Sequence, residues 1–262
     1  MKATVNGVAL NYRIEGRGGA PWLTFSNSLA TNMGMWDDQV AALKDDWRIL
    51  RYDKRGHGGS DATSGDYPIE MLVADVIGLW DMLGIKRSHF VGLSIGGMTG
   101  FGLALGHADR LLSMCLCCTR ADSPPEYNAA WPARLAIAKE KGMVALVDST
   151  LERWFSPGFR ARDKAAMRRM GQMIETTSVP GYAGCAYALQ NLPYLPRLGA
   201  IKTPTLCLGG SNDILLEGTR DAHRAIAGST YVELGPAGHI ANVEQPEQFT
   251  AAIGAFLGKH RA

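Results

Sequence analysis

Gly92-Leu93-Ser94-Ile95-Gly96 is the segment of this chain whose residue types and spacing most clearly suggest a reaction. A serine between two glycines, after a short apolar run and ahead of a helical pattern, is held in a sharp strand-to-helix turn with its hydroxyl exposed. The flanking glycines let strand and helix approach closely, and the helix N-terminus lends positive potential to an oxyanion. A serine hydroxyl is a poor nucleophile near neutral pH. It needs a base, and the base needs an acid to fix its tautomer. His239, in Gly235-Pro236-Ala237-Gly238-His239, supplies the base, and Asp213, in Gly209-Gly210-Ser211-Asn212-Asp213, supplies the acid. Each loop follows a strand-like run, at the sheet end where open parallel sheets place their sites. Asp122, in the loop after the apolar run 111–118, is the alternative acid. The oxyanion hole combines the backbone N–H of Ile95 with one from the loop Ser26-Asn27-Ser28-Leu29-Ala30, by position that of Leu29.

The remaining histidines have blander readings. His57, in Arg55-Gly56-His57-Gly58-Gly59-Ser60, supports its loop, and Asp53 holds that turn by hydrogen bonds. His89, His107, His223 and His260 sit at element edges as surface or boundary residues.

These loops need a scaffold, and the pattern provides one. Val5 to Ile14 alternates around Asn6-Gly7, which predicts an antiparallel hairpin, while Trp22–Phe25 and Arg48–Tyr52 are continuous runs of buried-strand type. Ile69–Leu83 has helical apolar spacing ending at Gly84, Ser88–Val91 is the next strand, a helix runs from Gly96 to about Gly106, and Leu111–Cys118 is again a strand. Such alternation predicts an α/β fold with a mostly parallel central sheet flanked by helices. At Ser123-Pro124-Pro125 it breaks, and amphipathic stretches at 133–141, 144–154 and 162–174 follow with no strand until Pro204. A strand at Thr205–Leu208, a helix over about 217–227, a strand at Tyr231–Leu234 and a helix opening at Pro246 then resume the pattern. Residues 1–123 and 196–262 are therefore one core, interrupted by an inserted helical cap over 124–195.

Composition narrows the class. The 262 residues suit one large domain or one domain with an insertion. With 27 basic and 25 acidic residues the net charge is +2, with no basic stripe, which argues against nucleic acid as a partner. Cys115, Cys117, Cys118, Cys185 and Cys207 lack paired zinc spacing and read as buried reduced thiols in strands. The start lacks the apolar run of a signal peptide, and no long uncharged apolar stretch occurs, so the expectation is a cytoplasmic protein without a membrane partner. Glycine is in excess at 31 residues, and ten of them, at positions 56, 58, 59, 92, 96, 97, 209, 210, 235 and 238, fall in or beside the loops just named.

Serine, acid and histidine in this chain order are the α/β-hydrolase arrangement, and the chain resembles that superfamily throughout. It is similar in particular to bacterial 3-oxoadipate enol-lactonases. The resemblance is carried by Ser26-Asn27-Ser28-Leu29, Gly34-Met35-Trp36-Asp37, Arg51-Tyr52-Asp53 with Arg55-Gly56-His57-Gly58, Gly92-Leu93-Ser94 with Gly96-Gly97-Met98, Leu151-Glu152-Arg153-Trp154-Phe155, Gly181-Tyr182-Ala183-Gly184-Cys185 and Glu244-Gln245-Pro246-Glu247. The chain departs from the family pattern at Ala30 (usually Gly), Ile95 (usually Met), Lys54 (usually Thr) and Gly238-His239-Ile240-Ala241-Asn242. The resemblance implies hydrolysis of a small enol-lactone to 3-oxoadipate through an acyl-serine, with no metal or cofactor. Such a substrate carries a carboxylate that a buried site must balance. Arg134 is the candidate for that contact, with Trp131 packing on the ring. A general carboxylesterase, another lactonase, a perhydrolase or a carbon–carbon bond hydrolase would share the triad, and a slow-turnover receptor could share the fold. The sequence does not give the oligomeric state.

Overall fold

The computed structural model describes residues 1–261. Eight strands form one sheet: β1 (Lys2–Val5), β2 (Val8–Gly16), β3 (Trp22–Ser26), β4 (Arg48–Tyr52), β5 (Ser88–Leu93), β6 (Leu111–Cys117), β7 (Thr205–Gly210) and β8 (Thr230–Leu234). Their spatial order is β1-β2-β4-β3-β5-β6-β7-β8. β1 and β2 form the antiparallel hairpin that Asn6-Gly7 predicts, with both turn residues at positive φ and Val5 opposite Val8. β2 also pairs antiparallel with β4, and every later pairing is parallel. β5 and β7 are buried along their whole length, as strands with both faces covered must be.

The helices are α1 (Asp37–Leu43), α2 (Ile69–Met82), α3 (Ile95–Gly106), α4 (Pro125–Asn128), α5 (Trp131–Lys141), α6 (Val147–Trp154), α7 (Pro157–Arg162), α8 (Lys164–Glu175), α9 (Val179–Gln190), α10 (Leu216–Ala225), α11 (Ala241–Glu244) and α12 (Pro246–Lys259). α3 packs on β5 and β6, α10 on β7, α12 on β8 and α2 on β1. β6 and β7 are direct neighbours, with Met114 beside Thr205 and Cys117 beside Leu208. All of α4 to α9 is thus inserted between two adjacent strands.

Among the contacts that hold this helical stretch to loops of the core, two involve a close backbone approach or a buried carboxylate. At the first, the backbones of Gly56 and Gly181 touch: a Cβ on Gly56 would lie 2.2 Å from Gly181 Cα, and one on Gly181 would lie 2.2 Å from the Gly56 carbonyl oxygen. Ser178 Oγ also donates to that carbonyl at 3.0 Å. At the second, the buried Glu244 carboxylate accepts from the Gly238 N–H at 2.9 Å and from the Ser156 hydroxyl.

Two expectations need correction. His89 is not a boundary residue; it is fully buried inside β5, where its Nδ1 meets Ser113 Oγ at 2.8 Å. A single hydrogen bond to the next strand satisfies a ring nitrogen there, which an element-edge reading overlooks. All five cysteines are buried and unbridged, but Cys185 lies in α9 and Cys118 one residue beyond β6, not in strands.

Candidate active site

Ser94 follows directly on β5 with φ 58° and ψ −120°, a conformation that non-glycine residues rarely adopt. The close approach of strand and helix enforces it. A Cβ on Gly92 would fall 2.3 Å from the Gly96 carbonyl oxygen, and one on Gly96 would fall 2.2 Å from that of Ser26. Ser94 occupies the N-cap position of α3, where a serine oxygen ordinarily accepts from the first helical turn, yet it makes no such bond. Its hydroxyl is left for the cavity.

His239 Nδ1 donates to Asp213 Oδ1 at 2.8 Å. A carboxylate only accepts, so Nδ1 carries the proton of this bond. Asp213 Oδ1 is itself fixed by the Leu215 N–H at 3.0 Å. Asp122 is engaged elsewhere, with its carboxylate 2.7 Å from Arg120, so the two acids the sequence leaves open have separate partners. Ser94 and His239 line one cavity without a direct hydrogen bond between them among the described residues. Such contacts tighten when substrate fills a site.

The backbone donors lie on two peptide units, each clamped at its carbonyl. The Ser94 carbonyl, paired with the Ile95 N–H across one amide, accepts from Thr119 Oγ1 at 2.8 Å and from the Met98 N–H at 2.9 Å. The Ser28 carbonyl, paired with the Leu29 N–H, accepts from Lys54 Nζ at 2.8 Å and Thr31 Oγ1 at 2.9 Å. Neither the Leu29 nor the Ile95 N–H has a hydrogen-bond acceptor among the described residues. The loop is further pinned by Asn27, whose side chain accepts from Trp36 Nε1 and donates to the Tyr52 carbonyl, both at 2.9 Å.

The cavity is narrow and partly open, with about 50 Å³ of room for the centres of water-sized molecules. Ser28, Leu29, Ala30, Ser94 and His239 line it from the sheet side, and Trp131, Arg134, Thr150, Arg153 and Tyr182 from the inserted helices. Trp131 is buried between Tyr127 and Tyr182, with ring centroids 6.1 and 6.3 Å away. Arg134 donates to Tyr182 Oη at 3.1 Å and Thr150 Oγ1 at 2.6 Å, which ties α5 to α6 and α9. Arg153 has no such anchor among the described residues. Burial, followed by the Arg134 charge, lowers its pKa. Neither arginine has a carboxylate within ion-pair distance among the described residues.

Residues 21–246 match the family described as alpha/beta hydrolase fold. The chain belongs to the α/β-hydrolase family. This hydrolase is 36% identical over 257 residues to 3-oxoadipate enol-lactonase 2 of Acinetobacter baylyi, covering 97% of the chain and 95% of that protein. Its structure matches that of the enol-lactonase from Burkholderia xenovorans LB400 with a TM-score of 0.94 and 42% identity, over 98% of this chain and 100% of that one. A thermophilic esterase from Thermogutta terrifontis, solved with malate bound, matches at TM-score 0.93 and 27% identity over 100% and 99% of the two chains.

Sequence reasoning about this hydrolase missed three residues at or beside the cavity. Arg153 lies in a segment that carries the family resemblance, which was a usable signal. Ser28 lines the cavity with a fully buried hydroxyl that has no hydrogen-bond partner among the described residues. Lys54 reaches the site only through a carbonyl, a contact with no periodic signature. His57 is absent from the cavity lining; it is buried, bonded through Nδ1 to the Arg55 carbonyl at 3.1 Å, and held neutral with a pKa of about 3 by burial and by Lys54. Asp53 accepts from the Met33 and Gly59 N–H groups and from Asn11 Nδ2, which secures the turn that bears His57.

Proposed function

We propose that this hydrolase opens a small carboxylated enol-lactone, 3-oxoadipate enol-lactone, to 3-oxoadipate through an acyl-Ser94 intermediate. The observation that carries the reading is His239, paired with Asp213, lining one cavity with the uncapped Ser94 hydroxyl and two arginines that lack carboxylate partners among the described residues. His239 Nε2 takes the Ser94 proton as the hydroxyl attacks the ring carbonyl, and Asp213 holds the imidazole tautomer and stabilises the imidazolium. The Leu29 and Ile95 N–H groups bind the tetrahedral oxyanion. Collapse expels an enolate, and the proton held on the His239 imidazolium passes to it on the way to the ketone, which leaves His239 neutral; because an enolate leaves readily, little acid assistance is needed in the transition state. Water activated by His239 then releases the acyl group and regenerates Ser94.

Residues 124–195 act in this reading as a cap that supplies recognition. Arg153 and Arg134 face an anion in a partly desolvated setting, where a charge-assisted hydrogen bond is about twice as strong as a neutral one. Trp131 packs against the ring. The enol-lactonases of Acinetobacter baylyi and Burkholderia xenovorans support the substrate class, and the malate held by the Thermogutta esterase supports a small carboxylate. No helix among the described residues is long and apolar enough to cross a membrane, in keeping with a cytoplasmic enzyme acting on a small molecule.

A simple-ester hydrolase is the second reading, favoured by the similarity to that esterase. Turnover of the enol-lactone generated in situ from its muconolactone precursor, run beside a saturated lactone and p-nitrophenyl acetate, separates the two. The enol-lactone is expected to give the highest kcat/KM, by at least about 100-fold, which is near 3 kcal/mol of transition-state discrimination. Equal or better turnover of p-nitrophenyl acetate sinks the enol-lactone reading.

A further inference from the structure

We propose that Lys54 is a positioning residue for the oxyanion hole, acting through the Ser28–Leu29 peptide, an inference that rests on the serine-hydrolase reading above. Lys54 stands in the turn after β4, where the family resemblance leads one to expect threonine, and it is only 3% exposed. Its Nζ donates to the Ser28 carbonyl oxygen at 2.8 Å. That carbonyl and the Leu29 N–H are the two ends of one planar amide, so whatever fixes the oxygen also aims the N–H. An ammonium on the carbonyl also draws electron density away from nitrogen, which makes the N–H a stronger donor in a low-dielectric site. Thr31 Oγ1 shares the same oxygen from the other side of the loop, and both lone pairs are then used.

The second donor of the hole offers an internal control. Its amide, Ser94–Ile95, is clamped by Thr119 Oγ1 and the Met98 N–H, two neutral donors. Among the described residues, a cation stands behind the loop half of the hole and not behind the other. Holding that cation is costly, because burial lowers the Lys54 pKa to about 8. The titratable groups facing it are Asp53 and His57 in its own turn and Cys185 on α9. Asp53 spends its oxygens on Met33, Gly59 and Asn11, and His57 is neutral above about pH 3. Burial pushes the Cys185 thiol up to about 12. Of Lys54, His57 and Cys185, therefore, only Lys54 changes charge near pH 8.

The test is the pH dependence of kcat for p-nitrophenyl acetate between pH 6.5 and 9.5 in wild type, Lys54→Met and Lys54→Thr. Folding is checked by circular dichroism, and the fraction of competent sites by stoichiometric fluorophosphonate labelling of Ser94. Wild-type kcat is expected to fall several-fold above about pH 8, with KM within twofold across the range. Both variants are expected to show kcat about tenfold lower at pH 7, unchanged KM and no alkaline limb. A wild-type profile that stays flat to pH 9.5, or a folded variant that keeps both the wild-type kcat and its alkaline limb, overturns the inference. Should neither variant fold, the wild-type profile alone decides. Ser94→Ala is run alongside. If it turns the ester over at the wild-type rate, the serine reading itself fails; if it is inactive while Lys54→Met matches wild type, only the role of Lys54 falls.

Discussion

The cavity of this hydrolase has two walls built by different rules. On the sheet side, Ser94, Asp213 and His239 come from turns at the carboxyl ends of β5, β7 and β8, where close backbone packing leaves almost no freedom. On the opposite side, Trp131, Arg134, Arg153 and Tyr182 project from three helices, α5, α6 and α9. Charge divides in the same way. Residues 124–195 hold nine basic and six acidic side chains, whereas the rest of the chain holds eighteen and nineteen, so the small positive excess lies entirely in the insertion. All six histidines lie outside the insertion. On the function proposed above, bond-making belongs to the rigid wall and choice of anion to the helical one, a division that can be broken at several points.

The largest expected effect is at the rigid wall. Ser94→Ala should lower kcat for the enol-lactone by about 10⁴ to 10⁶ if serine, histidine and aspartate act as a unit. Steady-state kinetics checks it, and a loss below tenfold would falsify the serine mechanism. At the helical wall the effect should appear in KM instead. Arg153→Gln is expected to raise KM for the carboxylated lactone by about 10- to 100-fold, the range of a lost charge-assisted hydrogen bond, while p-nitrophenyl acetate is unaffected. Arg134→Ala should act in the same direction, with some loss of thermal stability because Tyr182 and Thr150 lose their donor. Equal weakening of both substrates would make these arginines struts of the insertion and erase the division of labour.

A smaller effect concerns acid. Burial lowers the pKa of His57 to about 3 and of His89 to about 4, against 6.5 for a free histidine. Below pH 6.5 the unfolded chain binds protons that these folded residues refuse. Their stabilisation is therefore complete above pH 6.5 and is lost as pH falls towards 4 and 3. Thermal melts should show Tm dropping across that window, with a shallower slope in His57→Gln. An unaltered slope would remove His57 from the account, and the absence of histidine from the insertion means the insertion offers no substitute.

The two walls were also unequally legible in the sequence. Ser94, His239 and Asp213 stand beside glycines that tight turns require, and each turn follows a strand whose apolar run is plain, so local rules place all three at one edge of the sheet. The hairpin at Asn6-Gly7 and the helix opening at Pro246 are local in the same sense. Arg153 depends on how α6 is rotated against α5 and α9, which no single helix encodes. α9 itself is buried around most of its circumference by small and apolar residues, from Gly181 to Leu189, and so lacks the polar face that periodicity detects. Lys54 and Ser28 meet across 26 positions through a backbone carbonyl, a contact indifferent to residue type at one end. His89 misled because its hydrogen bond to Ser113 is a tertiary fact.

The contact between Gly56 and Gly181 bears on how such enzymes can be recombined. These residues are 125 positions apart, on opposite sides of any boundary between core and insertion, and each leaves no room for a methyl group on the other. A chimaera that grafts a foreign helical segment onto this core inherits the socket but not the plug. Unless the graft brings a glycine to the position of residue 181, its ninth helix must stand off from the turn that bears His57, and Ser178 then loses its acceptor on Gly56. The pocket wall would shift with it, because Tyr182, the next residue, holds Arg134. A graft of this helical segment is thus expected to need glycine at both positions, whatever side chains it brings to the pocket.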